Sequence, residues 1–184
     1  MYMLRRATGL LPLFFFCCLA CTAQQLVPNP GFEELLACPD FQSQLDRTAF
    51  WTSPSVLGTP DYYHACATNA LYAVPQSTVG VQEPVDGEAY VGFFLYIAQP
   101  VMAGWREYIQ APLTEALSAD RCYRFRLHAN LTEYSLRSTW SLGVRFSTGP
   151  VALLDPFIPG PTAHLTLPPV SYTHLRAHET GRNL

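Results

Sequence analysis

Arg121-Cys122-Tyr123-Arg124-Phe125-Arg126-Leu127-His128-Ala129-Asn130-Leu131 decides how this 184-residue chain is read. Tyr123, Phe125, Leu127, Ala129 and Leu131 fall on one side of an extended segment. Cys122, Arg124, Arg126, His128 and Asn130 fall on the other. Successive strand residues point to opposite faces, so this alternation predicts a strand with one face in a core. Thr139 to Ser147 repeats the pattern, with Trp140, Leu142, Val144 and Phe146 set against Ser141, Gly143, Arg145 and Ser147. Glu88 to Ile97 is apolar on both faces, as a central strand would be. Trp105 to Ala111 makes a shorter strand that Pro112 ends. Asp120 belongs to the turn into the Arg121 strand, and Leu113 to Ala119 has room for one helical turn. Sixteen Pro and eleven Gly cut the chain into short segments, which favours strands over helices. The expected fold class is all-β, an antiparallel β-sandwich of jelly-roll type. Its core would hold Tyr123, Phe125, Leu127, Trp140, Val144 and Phe146.

Before this domain stands a segment with the order of a secretory signal. Arg5 and Arg6 precede an apolar run from Leu10 to Leu19, and small residues follow at Ala20, Cys21, Thr22 and Ala23. Cleavage is expected after Ala23, giving a signal peptide over 1–23. The alternative is a lipoprotein signal that leaves Cys21 at the new N-terminus; Cys18 then stands where such signals usually carry Leu. The apolar run is too short to anchor in a bilayer, and no later run is long enough, so no transmembrane segment is expected in the mature part. The module is expected over 24–169. From Val170 to Leu184 strand alternation stops, and the text resembles a translated sequencing-adapter artefact. This tail is set aside as non-native, with His174 and His178, and the module is expected to be truncated at its C-terminus.

Charge and cysteine content narrow the function. The chain has no Lys, and residues 24–169 carry seven Arg against thirteen Asp and Glu. A mildly acidic module is a poor nucleic-acid partner, which would need a basic face. Cys38, Cys66 and Cys122 remain after the signal, so one intrachain disulfide can form and one thiol is left over. Cys38 and Cys66 lie in Pro-flanked, loop-like sequence and are the expected pair. Closing a loop of about 28 residues would stabilise by roughly 3 kcal/mol. Cys122, on a strand, is expected to be a small buried residue.

Several residue groups are candidates for binding or chemistry. Glu33 or Glu34 after an N-terminal strand, with carbonyls at Gly87-Glu88, would suit a structural calcium site, since calcium collects hard oxygen ligands. Solvated turn charges are the plainer reading. Cys38 to Val85 is rich in Pro, Ser, Thr, Tyr and Gly and reads as ordered loops carrying specificity. Within it, Tyr62, Tyr63 and His64 form an aromatic stretch that could meet a sugar ring, joined by Trp51 and Trp105. Packing on the sandwich edge is the alternative. Arg124, Arg126 and Arg145 on polar strand faces would suit an acidic polymer, or else cross-strand salt bridges. Glu107 and Glu133 are nominal carboxylates for glycoside cleavage, but nothing in the sequence brings them together, and Glu107 is expected to pair with an Arg. No nucleophile elbow, zinc-protease motif, phosphate loop or dinucleotide fingerprint occurs.

Five stretches together carry a resemblance: Val27-Pro-Asn-Pro-Gly-Phe-Glu-Glu34, Gly58-Thr-Pro-Asp-Tyr-Tyr-His-Ala-Cys66, Gly87-Glu-Ala-Tyr-Val-Gly92, Arg106-Glu-Tyr-Ile-Gln110 and Arg121-Cys-Tyr-Arg124. They resemble the N-terminal module of exported Bacteroidetes proteins, many of which carry an OmpA-type or secretion-sorting domain downstream. More loosely, the chain is similar to galactose-binding-like jelly rolls, including carbohydrate-binding modules. That resemblance implies a structural calcium held by Glu33 and Gly87-Glu88. It also implies a non-catalytic module of the cell envelope or outer membrane that binds glycan or another surface polymer. A structural spacer in an OmpA-type protein is the alternative.

Overall fold

The computed structural model describes residues 24–97, 100–135, 142–153 and 162–167. The signal segment 1–23, the tail 170–184 and Trp140 lie outside them. Among the described residues the chain is mostly β, built as three two-stranded antiparallel sheets, with short 3-10 turns and no α-helix. No helix among them is long and apolar enough to cross a membrane.

Packing centres on β1 (Asp61–His64) and β4 (Ala89–Gly92), with Tyr62 opposite Val91 and Tyr63 opposite Tyr90. Tyr62 and Tyr63 are fully buried, and Leu45, Tyr72 and Ala89 pack around them. Tyr63 stacks on its cross-strand partner Tyr90 at 4.9 Å between centroids and meets Tyr72 at 6.1 Å. Directly opposed aromatics are the strong form of cross-strand pair. A short hairpin of β2 (Gln76–Ser77) and β3 (Gly80–Val81) lies alongside, where the Ser77 and Tyr90 hydroxyls are 3.3 Å apart. Gly80, at φ +117, takes a backbone conformation open to glycine, with the Glu133 side chain against it. The third sheet joins β5 (Leu142–Val144) to β6 (Leu165–Leu167).

A Cys38–Cys66 disulfide ties the end of the β1 region to the preceding loop. Thr68 N–H donates to the Pro39 carbonyl, and Asn69 Nδ2 to that of Asp40, so the tie is reinforced on both sides. The interval from Cys38 to Val85, expected as ordered loops, holds most of the buried residues among those described. Its strand has no alternation to mark it, because Asp61-Tyr62-Tyr63-His64 is enclosed on both faces.

The other strand expectations are corrected in part. From Cys122 to His128, residues 123, 125 and 127 are half-buried and residues 122, 124, 126 and 128 exposed, so the alternation is real. This segment nevertheless has no ladder partner among the described residues. Cys122 is exposed rather than buried, because it falls on the outward phase of that alternation. Phe125 meets Phe146 edge-on at 6.5 Å. Only Ala89–Gly92 of the Glu88–Ile97 stretch forms a strand, and it pairs on one side, with β1. From 105 to 111 only Gln110 makes a bridge, to Thr52. Leu113 to Ala119 has no helical turn. Asp120 does sit in a turn, at φ 59.

Candidate functional site

The N-terminal motif is a polar knot. Asn29, 4 % exposed and at φ 45, directs Nδ2 at the Glu34 carbonyl and Thr48 Oγ1, each at 2.9 Å, and at the Ala49 carbonyl at 3.1 Å. Its Oδ1 accepts the Glu34 N–H at 2.9 Å. A buried side-chain amide is costly unless satisfied, and here donor and acceptor are both used. The indole N–H of Trp51 donates to the Asn29 carbonyl, and its ring lies 4.9 Å from that of Phe32. Tyr62 Oη donates to the Phe32 carbonyl at 2.8 Å, which links the knot to β1. Burial, with the Glu33 charge adding, pushes the Tyr62 phenol well above its ordinary value.

Glu33, Gly87 and Glu88 do come together, through amide hydrogens. Both Glu33 carboxylate oxygens accept the Glu88 N–H at 3.0 Å, and Oε1 also accepts the Ala89 N–H at 3.0 Å. The Glu88 carbonyl, an expected ligand, instead accepts the Ala65 N–H at 3.0 Å. Amide hydrogens facing a carboxylate present positive partial charge where calcium would need oxygens. Gly87, at φ +70, leaves no room for a Cβ beside the Glu33 carboxylate. The corner is an N–H cradle that closes the start of β4 onto the N-terminal motif. No group of three or more His, Cys, Asp or Glu among the described residues could hold a metal ion.

A second carboxylate, unlike exposed Glu33, is buried. Glu107 is 2 % exposed. Oε1 accepts the Thr59 N–H at 2.9 Å, the Thr59 hydroxyl at 2.6 Å and the Trp105 indole N–H at 3.3 Å. Oε2 accepts the Phe94 N–H at 2.8 Å. The expected arginine partner is replaced by these donors; the salt bridge among the described residues joins Arg47 to Asp40 at 3.0 Å. Glu133 is engaged elsewhere, accepting the Val81 N–H at 3.3 Å. Asp61 lies within the field of Glu107. Burial first, and then the Glu107 charge, raise the Asp61 carboxyl above its ordinary value of 3.8, against the lowering effect of the Ser43 N–H.

Of the expected ligand contacts, Tyr62, Tyr63 and His64 are corrected to core positions. None has a ring face open to a sugar, because β1 is the most enclosed strand. His64 Nδ1 accepts the Cys66 N–H at 2.9 Å. Trp105 is half-buried with its indole N–H on Glu107, while Arg124 and Arg126 are exposed.

Other aromatics are displayed, among them Phe41, Phe50, Tyr134 and a pair next to Glu107. Phe94 and Tyr96 are 55 % and 52 % exposed, whereas Phe93, Leu95 and Ile97 are turned inward. The Glu107 N–H donates to the Phe94 carbonyl at 2.7 Å and the Ile97 N–H to the Trp105 carbonyl at 3.1 Å, so 94–97 lies along 105–107. The Arg106 guanidinium sits 5.4 Å from the centre of the Tyr96 ring, within cation–π range. The two arms therefore present an aromatic–arginine ribbon, held from beneath by Glu107. Sequence reading passed it over because Phe93-Phe94-Leu95-Tyr96-Ile97 is apolar in both phases.

Comparison with known protein families, curated proteins and solved structures finds no match to this chain.

Proposed function

We propose that this is an exported, non-catalytic module of the cell envelope that binds glycan or another surface polymer. A β-sandwich of jelly-roll type, similar to galactose-binding-like domains, is the architecture proposed for it. The signal-like N-terminus and the motif resemblance to exported OmpA-type proteins support the location. The observation that carries the binding reading is the pair of outward rings, Phe94 and Tyr96, with Arg106 fixed against the second. Exposed rings can pack on sugar faces, and the Tyr96 hydroxyl keeps one end wet. A non-catalytic role is supported by Glu107, whose two carboxylate oxygens are both taken up by protein donors.

The test is retention of the full chain on immobilised neutral and acidic polysaccharides. Tyr96→Ala is expected to weaken binding about tenfold or more, as truncation of an interface anchor does. Unchanged retention in Tyr96→Ala would move the ligand surface elsewhere. A structural spacer in an outer-membrane-associated OmpA-type protein is the second reading, favoured by the burial of Tyr62, Tyr63 and His64. Failure of every polysaccharide to be retained would select it.

A further inference from the structure

Arg124, Arg126 and His128 are exposed at every second residue of one extended segment, with Asn130 completing the row. Their alternation with half-buried residues 123, 125 and 127 puts the three side chains on one side of the segment, in a line. Among the described residues none of the three forms a hydrogen bond or ion pair. Between Asp120 and Glu133 the chain has no acidic residue, in a module that is otherwise acidic. The opposite phase is turned inward, with Phe125 packed on Phe146 and the Tyr123 hydroxyl accepting the Ser118 N–H at 2.7 Å. The row is thereby held outward. Cross-strand salt bridges, the plainer expectation for these arginines, do not form among the described residues.

From these observations we infer that the Arg124–Arg126–His128 row is a docking surface for an acidic polysaccharide that carries carboxylates along its length. Charge complementarity selects the partner. Guanidinium groups meet carboxylates through two parallel N–H donors, and a line of them meets a ligand whose charge also repeats along a line. The inference rests on the polymer-binding reading and names the charge class of the polymer. A polyanion of the nucleic-acid class is disfavoured by the excess of acidic residues across 24–169.

The experiment measures affinity of the full chain for polygalacturonate, neutral dextran and single-stranded DNA at rising salt. Polygalacturonate is expected to bind most tightly and to weaken steeply with salt, as exposed charge pairs are screened. Arg124→Ala with Arg126→Ala is expected to lower that affinity roughly tenfold or more. Both residues are exposed, and an unchanged near-ultraviolet circular dichroism spectrum of the variant would establish that it folds. Failure to bind polygalacturonate, binding unaffected by the double substitution, or DNA bound as tightly overturns the inference. Dextran binding that is lost in Tyr96→Ala and kept in the arginine variant would leave the polymer-binding reading standing while this inference falls. Loss of all polysaccharide binding would bring down both.

Discussion

Glu107 meets four donors and no cation, which fixes what its replacement should do. Glu107→Gln keeps the shape but turns an amide NH2 toward at least one backbone N–H, so a donor faces a donor. Loss of about 2–3 kcal/mol in denaturant unfolding is expected, close to that of Glu107→Ala. A Gln variant as stable as the native chain would show that the carboxylate is not the hub described. Asp61 gives the pH prediction. Its folded pKa is raised, chiefly by burial, so it holds its proton more tightly folded than unfolded. Such a group adds stability at low pH and loses that contribution as pH rises through its folded value. Asp61→Asn removes the titration and can still accept the Ser43 N–H through its carbonyl oxygen. The stability of the variant relative to the native chain should therefore grow as pH rises above about 4. Unfolding midpoints from acid to neutral pH check this, and a variant that loses stability relative to the native chain toward neutrality contradicts it.

At the scale of elements, the motif residues were legible and their roles were not. Val27 to Glu34 stood out, and Glu33 was joined in expectation to Gly87-Glu88. The structure brings them together through amide hydrogens instead of carbonyls, a distinction that depends on how the peptide planes turn and leaves no mark on residue identity. Gly87→Ala places a Cβ against the Glu33 carboxylate at positive φ, and a loss of about 2 kcal/mol or more is expected. Calcium or a chelator should leave the melting temperature unchanged; a rise on adding calcium would restore the cation reading. The outward phase of the 121–131 segment was legible from its alternation. The β1 strand and the outward pair Phe94 and Tyr96 were not, since apolar residues in both phases hide which side faces water. The Cys38–Cys66 disulfide closes 28 residues around the core. Reduction should cost about 3 kcal/mol, read as a lower denaturant midpoint in dithiothreitol.

Across the described residues, aromatic side chains run from fully enclosed to widely exposed, Phe41, Phe50 and Tyr134 being exposed as well as Phe94 and Tyr96. Tyr62, Tyr63 and Tyr72 are enclosed with the disulfide and the Asn29 knot, while Phe94 and Tyr96 stand on a separate ribbon braced by Glu107. Burial raises the Tyr63 phenol as well as that of Tyr62, in keeping with their enclosure. Side-chain hydrogen bonds of buried Asn29 and Glu107 and of exposed Glu33 tie the segments around β1 and β4 together. The sequence pattern placed strands where alternation is strong, but it placed the core around Tyr123 and Trp140, and the enclosed centre of the described residues is at Tyr62 and Tyr63. The division between enclosed and displayed rings is tested most directly by hydroxyl-radical footprinting of the chain, alone and with bound polysaccharide. Tyr62 and Tyr63 should stay unmodified in both states, while Phe94 and Tyr96 react freely and become protected on binding. Rapid modification of Tyr62 and Tyr63 in the free chain, suppressed by the polysaccharide, would contradict the account.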